Sequence, residues 1–439
     1  MKKLILLIGW LLVCFFWSPF VEADGSLQDR IDQTPEGGTL KLEATTYEGN
    51  LVIRKAIHLK GAGSDQTVIK GDGIGNVITI EAPGVHLENM SVQSSSFNRN
   101  SSEEYAAIKI RSNQNIVEEI QITDSYHGVY LSQAHDNVVR RVTVTGRGSG
   151  EIAGQGNGIM VYYSNRNQIQ ENRISNTRDG IFFDYSNDNE VSGNDISQTR
   201  YGLHYMYSDQ NRLTKNKFHS NIGGAAIMHS RHSVLEENEF SLNQGSRAFG
   251  VMLQSCDDTQ VVRNQFFQNG RGMFIDQSQR SHIEDNMIFH NQIGIELWAS
   301  SMEQVFVGNR FVRNTSPVIT IGGGKSNNHW SENRKGNYWG QDFPVVDLDQ
   351  NGIGDSPLVY ESTLNKLIEK NELVYLFLNS PAIHIYETLG KFLNQQEVMV
   401  EDAYPLLDNN QKLSYSWVWA IVALGVGGLW YRSKRRKRT

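Results

Sequence analysis

Residues 180–201 read GIFFDYSNDNEVSGNDISQTRY, and residues 158–179 before them read GIMVYYSNRNQIQENRISNTRD. The two lines align glycine on glycine, serine on serine and asparagine on asparagine without a gap. The register continues: Gly158, Gly180, Gly202, Gly224, Gly250, Gly272 and Gly294 are spaced 22, 22, 22, 26, 22 and 22 residues apart. A fixed period of this size marks a stacked repeat and takes precedence over any local reading. After each glycine comes a short alternating stretch, then a polar turn, then an apolar pair such as Ile169 and Ile174, Val191 and Ile196, or Leu213 and Phe218. These are short strands between turns. A second column holds Asn172, Asn194, Asn216, Asn238, Asn264 and Asn286. Asparagine tolerates left-handed backbone, and identical amides stacked about 4.8 Å apart form ladders. A leucine-rich repeat needs a leucine consensus that is absent, and a propeller blade needs about 40 residues. The pattern predicts an all-β fold, a right-handed parallel β-helix of ~22-residue coils.

The period extends upstream. Ala107–Ile110 precedes His127–Leu131 by about one coil. Val77–Ile80 and Gly84–Leu87 read as earlier strands, and residues 27–42 are expected to include a cap that hides the open end of the stack. Arg147–Gly156 and the four extra residues within Gln244–Phe249 read as loops that leave the solenoid. The repeat is expected to end near Asn314, with the β-helix over residues 24–320 and a closing segment over 321–360. Helix-like spacing at Leu364–Glu369, Val374–Leu378 and Ile383–Leu393 predicts a helical, membrane-proximal segment over 361–414.

The ends indicate the compartment. Lys2 and Lys3, the apolar run Leu4–Phe20 and the sequence Val21-Glu22-Ala23 describe a secretory signal over residues 1–23. A second apolar run, Trp417–Tyr431, precedes six basic residues between Arg432 and Arg438. Residues 415–432 are therefore expected to cross the membrane once, with 433–439 as a cytoplasmic tail and the rest on the extracytoplasmic side. Setting aside both ends takes the formal charge from −7 to about −14. That balance argues against a nucleic-acid partner. Of two cysteines, only Cys256 lies outside the signal, which excludes an intrachain disulfide and a multi-thiolate metal site after cleavage.

Strand alternation sorts one sheet into faces. The first and third residues after each glycine are apolar and point inward: Ile181 and Phe183, Leu203 and Tyr205, Val251 and Leu253. The second and fourth point outward. They place Met206 and Met228 side by side, His204 on the strand of Met206, His229 after Met228, and Met252 further along the column of His204. Thioether and imidazole donors without thiolate suit Cu(I), so His204, Met206, Met228, His229 and Met252 are the candidate metal ligands. Methionines also fill irregular apolar gaps, which is the competing explanation.

Two other chemistries find partial matches in the sequence. Asp276 and Glu296 fall on adjacent coils at a separation compatible with a glycosidase pair, and Phe182, Phe274 and Trp298 are positioned to stack sugars. This keeps a surface polysaccharide lyase or hydrolase, or a carbohydrate-binding β-helix, as the alternative function. Asp347, Asp349, Asn351 and Gly352 match part of a calcium loop, but Leu358 stands where a bidentate glutamate belongs, so a polar turn is preferred.

The coils resemble the carbohydrate-binding and sugar-hydrolase repeat group. Gly336-Asn337-Tyr338-Trp339, followed by Asp347-Leu348-Asp349-Gln350-Asn351-Gly352-Ile353-Gly354-Asp355-Ser356-Pro357, is similar to the closing signature of the NosD family of nitrous oxide reductase maturation proteins. The resemblance covers roughly residues 24–360. It implies a non-enzymatic, extracytoplasmic role beside an ABC permease and its ATPase, in assembly of the copper centres of nitrous oxide reductase. It also implies a copper chaperone as the source of Cu(I). The C-terminal anchor departs from the purely periplasmic form and fits a cell without an outer membrane.

Overall fold

The computed structural model describes residues 26–408, apart from 99–100, 102, 149–151 and 324–326. The signal at 1–23 and the spanning segment at 415–432 lie outside the described residues. Among the described residues no helix is long and apolar enough to cross a membrane.

The chain winds into a parallel β-helix. One wall is a twelve-stranded parallel sheet running from strand Leu51–Ile53 to strand Ser316–Ile321. The other two walls form one 22-stranded sheet. They are joined because strands His86–Gln93 and Ile116–Thr123 run through the corner that splits into two strands in later coils. The inward residues Ile181, Phe183, Leu203, Tyr205, Val251 and Leu253 are fully buried. Phe218, Phe240 and Phe266 stack through the interior at centroid distances of 5.2 and 5.1 Å. Each glycine of the period sits at an inner bend, where a side chain has no room. A Cβ on Gly180 would lie 2.4 Å from both the carbonyl oxygen of Gly202 and Cγ2 of Ile196.

Asparagine ladders line the corners. One runs from Asn172 through Asn194, Asn216, Asn238, Asn264, Asn286 and Asn309 to Asn337, each side-chain amide donating to the next carbonyl oxygen at 2.8–3.1 Å. A second joins Asn115, Asn137, Asn167, Asn189 and Asn211, and a third joins Asn243, Asn269, Asn291 and Asn314. The left-handed bend falls one residue before the first ladder: Glu171, Lys215, Glu237, Arg263 and Asp285 have φ between 53° and 56°. Asparagine is required there for its amide, and its neighbour absorbs the turn.

Both ends are covered. At the start, helix Leu27–Gln33 has a Ser26/Asp29 capping box and buries Leu27 and Ile31. Gln28 pairs with both backbone groups of Val52, at 3.0 and 2.9 Å, and so satisfies the first edge of the twelve-stranded sheet. At the other end the stack continues past Asn314. Strand Ser316–Ile321 completes the wall, and His329 and Tyr338 bridge back to Val305 and Arg310. Phe306 and Phe311 end against Trp330 and Trp339 at 4.2 and 4.6 Å.

The described part of the segment 361–414 is not helical throughout. Helix Leu364–Lys370, a 3-10 turn Glu372–Phe377 and helix Pro381–Phe392 are followed by strand Glu397–Asp402. That strand pairs antiparallel with Leu358–Ser362. Its side chains alternate too briefly for the sequence pattern to distinguish it from a loop. The helical part folds back on the solenoid, where Leu364, Ile368, Val374, Leu378 and Ile383 pack on Ile293, Ile319 and Ile321.

Candidate metal-donor face and the groove beside it

The outward columns of the twelve-stranded sheet are in register. Phe182, His204, Ala226, Met252, Phe274, Glu296 and Ile319 pair in one row, and Asp184, Met206, Met228, Gln254 and Asp276 in the next. Met206 and Met228 are therefore direct cross-strand partners, about 5 Å apart at the backbone.

His204 is buried, with its ring against Phe182 at 4.8 Å and Tyr201 at 5.2 Å. Its Nδ1 lies 3.2 Å from Oδ2 of Asp179, and Arg200 grips the same carboxylate with contacts of 2.8 and 2.5 Å. Burial alone would raise Asp179, but hydrogen bonds from His204 and Arg200 outweigh it and hold the carboxyl below its usual value. An ionised carboxylate only accepts, so Nδ1 carries the proton. In the neutral ring the lone pair is then on Nε2, which is buried and has no hydrogen-bond partner. A carboxylate that fixes one ring nitrogen and leaves the other free is the usual support of a metal-binding histidine. Asp179 and Arg200 escaped the sequence reading because they precede the period glycine or end the turn before it. The signal was the column Asp179, Tyr201, Gly223, Phe249, Arg271, which faces outward as well.

The other two candidate ligands stand apart. His229 is exposed and left-handed (φ 50°), and its ring ends a stack of Tyr163, Tyr185 and Tyr207 with spacings of 5.0, 5.0 and 4.9 Å. Met252 shares the row of His204 but lies two strands away, about 10 Å. It lines a groove of about 790 Å³ with Tyr201, Phe249, Phe274, Trp298 and Tyr375. The returning helices supply one wall of that groove through Ile368 and Tyr375.

Glu296 lies at the base of the groove, buried, and accepts from Tyr375 Oη at 2.9 Å, Trp298 Nε1 at 3.1 Å and Arg271 at 3.3 Å. Asp276 accepts from Ser300 at 2.8 Å. With three donors on it, Glu296 anchors the returning segment to the solenoid. Cys256 replaces a serine in the column Ser164, Ser186, Ser208, Ser230, Ser278. Burial pushes its thiol up to about 12, so thiolate chemistry is closed to it.

Asp347 accepts from the backbone of Asn351 and Gly352, Asp349 accepts from Asn351, and Asp355 accepts from Leu348. Asp347, Asp349 and Asp355 come within reach of one ion, while Leu358 begins a strand and is buried. The carboxylates are already engaged in holding the turn.

His127, upstream on the same sheet, gives a pH-dependent prediction. It is buried, and its Nδ1 accepts the Asn157 N–H at 2.9 Å. Burial first, then the nearby Lys109, pushes it down to about 3. The unfolded chain binds this proton near pH 6.5 and the folded chain does not. The contribution is intact above 6.5 and shrinks as the pH falls towards 3, by about 1.4 kcal/mol per unit. Urea unfolding at pH 7 and pH 5 measures it. His127→Gln should flatten that part of the slope, and an unchanged slope would refute the assignment.

Stacked coils of this construction define a β-solenoid protein of the parallel β-helix class. The catalytic unit of a thermostable α-1,3-glucanase from Streptomyces thermodiastaticus shares the fold at 13% identity, with a TM-score of 0.54 over 72% of this chain and 66% of that one. The A-module of the mannuronan C-5 epimerase AlgE6 of Azotobacter vinelandii does so at 14% identity and a TM-score of 0.50, over 70% and 94%. At these identities the likeness is one of fold. Residues 146–343 match the family described as periplasmic copper-binding protein (NosD). A protein of Pseudomonas aeruginosa named as a probable ABC transporter binding protein NosD is 30% identical over 164 residues, and one of Stutzerimonas stutzeri is 30% identical over 139. The matched stretches span 37% and 31% of those relatives, and the same shares of this chain. The likeness to the NosD family lies over the central coils of the chain.

Proposed function

We propose that this protein is an extracytoplasmic accessory factor for nitrous oxide reductase maturation. In this reading it accepts Cu(I) from a copper chaperone and relays it, beside an ABC permease and ATPase, to the reductase. The family's description as copper-binding and periplasmic supports the compartment and the metal, and the relatives' names support the transporter. Anchoring through residues 415–432 belongs to the same proposal and rests on the sequence. The role is one of binding and transfer, without catalysis.

The observation that carries the metal assignment is the buried, unpartnered Nε2 of His204, on the same strand and face as Met206, whose cross-strand partner is Met228. A soft monovalent cation is the ligand for which two thioethers and one neutral imidazole are the matching set. Met252 and His229 serve as flanking donors on the path of transfer. Anaerobic titration against a chromogenic Cu(I) chelator tests this. The chain should bind about one Cu(I), and the triple variant His204→Ala, Met206→Ala, Met228→Ala should bind about 100-fold more weakly or worse. Equal affinity in a folded triple variant would remove the site.

A further inference from the structure

A second cluster of donors lies on the first coils, upstream of residues 146–343 and apart from the methionine face. We propose that His58, His86 and Glu88 form a site for a borderline divalent transition metal of the zinc or copper(II) class. The register builds it. His58 and His86 are cross-strand partners, and Glu88 sits two residues beyond His86 on the same face, in register with Lys60 on one side and Glu118 on the other. The two imidazoles stack at 4.2 Å with an interplanar angle of 5°. Parallel rings on one face direct both Nε2 atoms towards Glu88: Nε2 of His58 is 3.2 Å from Oε1, and Nε2 of His86 is 3.7 Å from Oε2. The donor atoms of all three residues fall within 4.8 Å of one another, and all three side chains are partly buried.

Two features distinguish this cluster from an ordinary surface ion pair. Nε2 of His58 is buried and makes no hydrogen bond. Glu118 accepts from Nε2 of His86 at 2.8 Å, a proton that an entering cation replaces, and is itself held by Arg140 at 2.7 Å and by Arg141. Arg140 and Arg141 thus hold the Glu118 carboxylate in place beside the imidazoles. Two imidazoles and one carboxylate suit Zn(II) or Cu(II), and three protein ligands leave a position open to solvent. The soft Cu(I) of the methionine face is a different ion. Lys60 pairs with Glu88 and is 43% exposed, so its flexible stem can withdraw when a cation enters.

Calorimetric titration of the full chain with Zn(II) tests the site. One ion should bind, and His58→Gln with His86→Gln should weaken it by about 100-fold. Lys60→Met removes the competing ammonium and should tighten binding by about tenfold. The triple variant of the methionine face should leave Zn(II) binding unchanged, which separates failure of this site from failure of the Cu(I) proposal. Cu(II) bound by the wild type should show nitrogen coupling in its paramagnetic resonance spectrum. Wild-type Zn(II) affinity in a folded His58→Gln, His86→Gln variant would overturn the proposal.

Discussion

Asn216→Ala should lower the stability of the β-helix by about 3–6 kcal/mol, the result of leaving two buried polar groups unpaired. The side chain makes four hydrogen bonds in a buried corner. Its oxygen accepts from the backbone N–H of Asn194 at 3.0 Å and from that residue's amide at 2.8 Å. Its amide donates to the carbonyl of Val191 and to Oδ1 of Asn238, both at 2.9 Å. After truncation Oδ1 of Asn238 keeps the backbone N–H of residue 216, and the Asn194 amide keeps the carbonyls of Ile169 and Ser192, but the Asn194 backbone N–H loses this acceptor and the Val191 carbonyl this donor. Asn194 and Asn216 are both buried. Asn216→Asp keeps the volume but sets a carboxylate oxygen against Oδ1 of Asn238, so it should be at least as damaging. That separates hydrogen bonding from packing. Arg173→Ala, at an exposed side chain 3.8 Å from Asp195, is the control and should change stability by less than about 0.5 kcal/mol. Urea midpoints followed by circular dichroism read all three. A shift for Asn216→Ala as small as that of the control would mean that the ladder does not hold the stack together.

Asp402→Ala should cost about 3–5 kcal/mol and release the closing strand, because one buried carboxylate serves three donors. Oδ2 accepts from the backbone N–H of Asn337 at 2.7 Å and from Nε1 of Trp339 at 2.8 Å, and Oδ1 accepts from the N–H of Tyr404 at 3.0 Å. Asn337 is the last rung of the ladder, and Trp339 covers Phe311 at the end of the interior. Gly336 is obligatory in the same joint, since a Cβ there would lie 2.0 Å from Oδ1 of Asp402. Loss of Asp402 therefore loosens the lid of the hydrophobic interior rather than the coils themselves. Limited proteolysis should cut the variant near residues 395–405 many times faster than wild type, and its Tm should fall. A protease pattern identical to wild type would show that the strand is held by its pairing with Leu358–Ser362 alone.

The coils were legible because each repeats the same demands. A glycine recurs where a Cβ would strike the next carbonyl, an asparagine where a corner needs an amide, and alternating apolar residues where a wall faces inward. Repetition multiplies a weak local signal until it is unambiguous. The second and third ladders are less legible because other residues take over some rungs, Ser233, Thr259, Ser281 and Gln304 in the second and Thr199 in the third. The helices after Leu364 had apolar spacing that could be read. Strand Glu397–Asp402 did not, because its identity lies in its partner.

The candidate site divides along the same line. Alternation by itself determined that His204, Met206 and Met228 share one face, and parallel register made the two methionines neighbours. It likewise aligned the pair His58 and His86. What a side chain touches beyond its own coil is not periodic. Only the tertiary structure decided that Asp179 fixes the His204 ring, that Tyr375 returns to Glu296 and that His229 stacks on Tyr207. Backbone geometry repeats every 22 residues or so and is written into the sequence as a period. Contacts between distant segments depend on where each chain reversal carries them, and no local pattern encodes that.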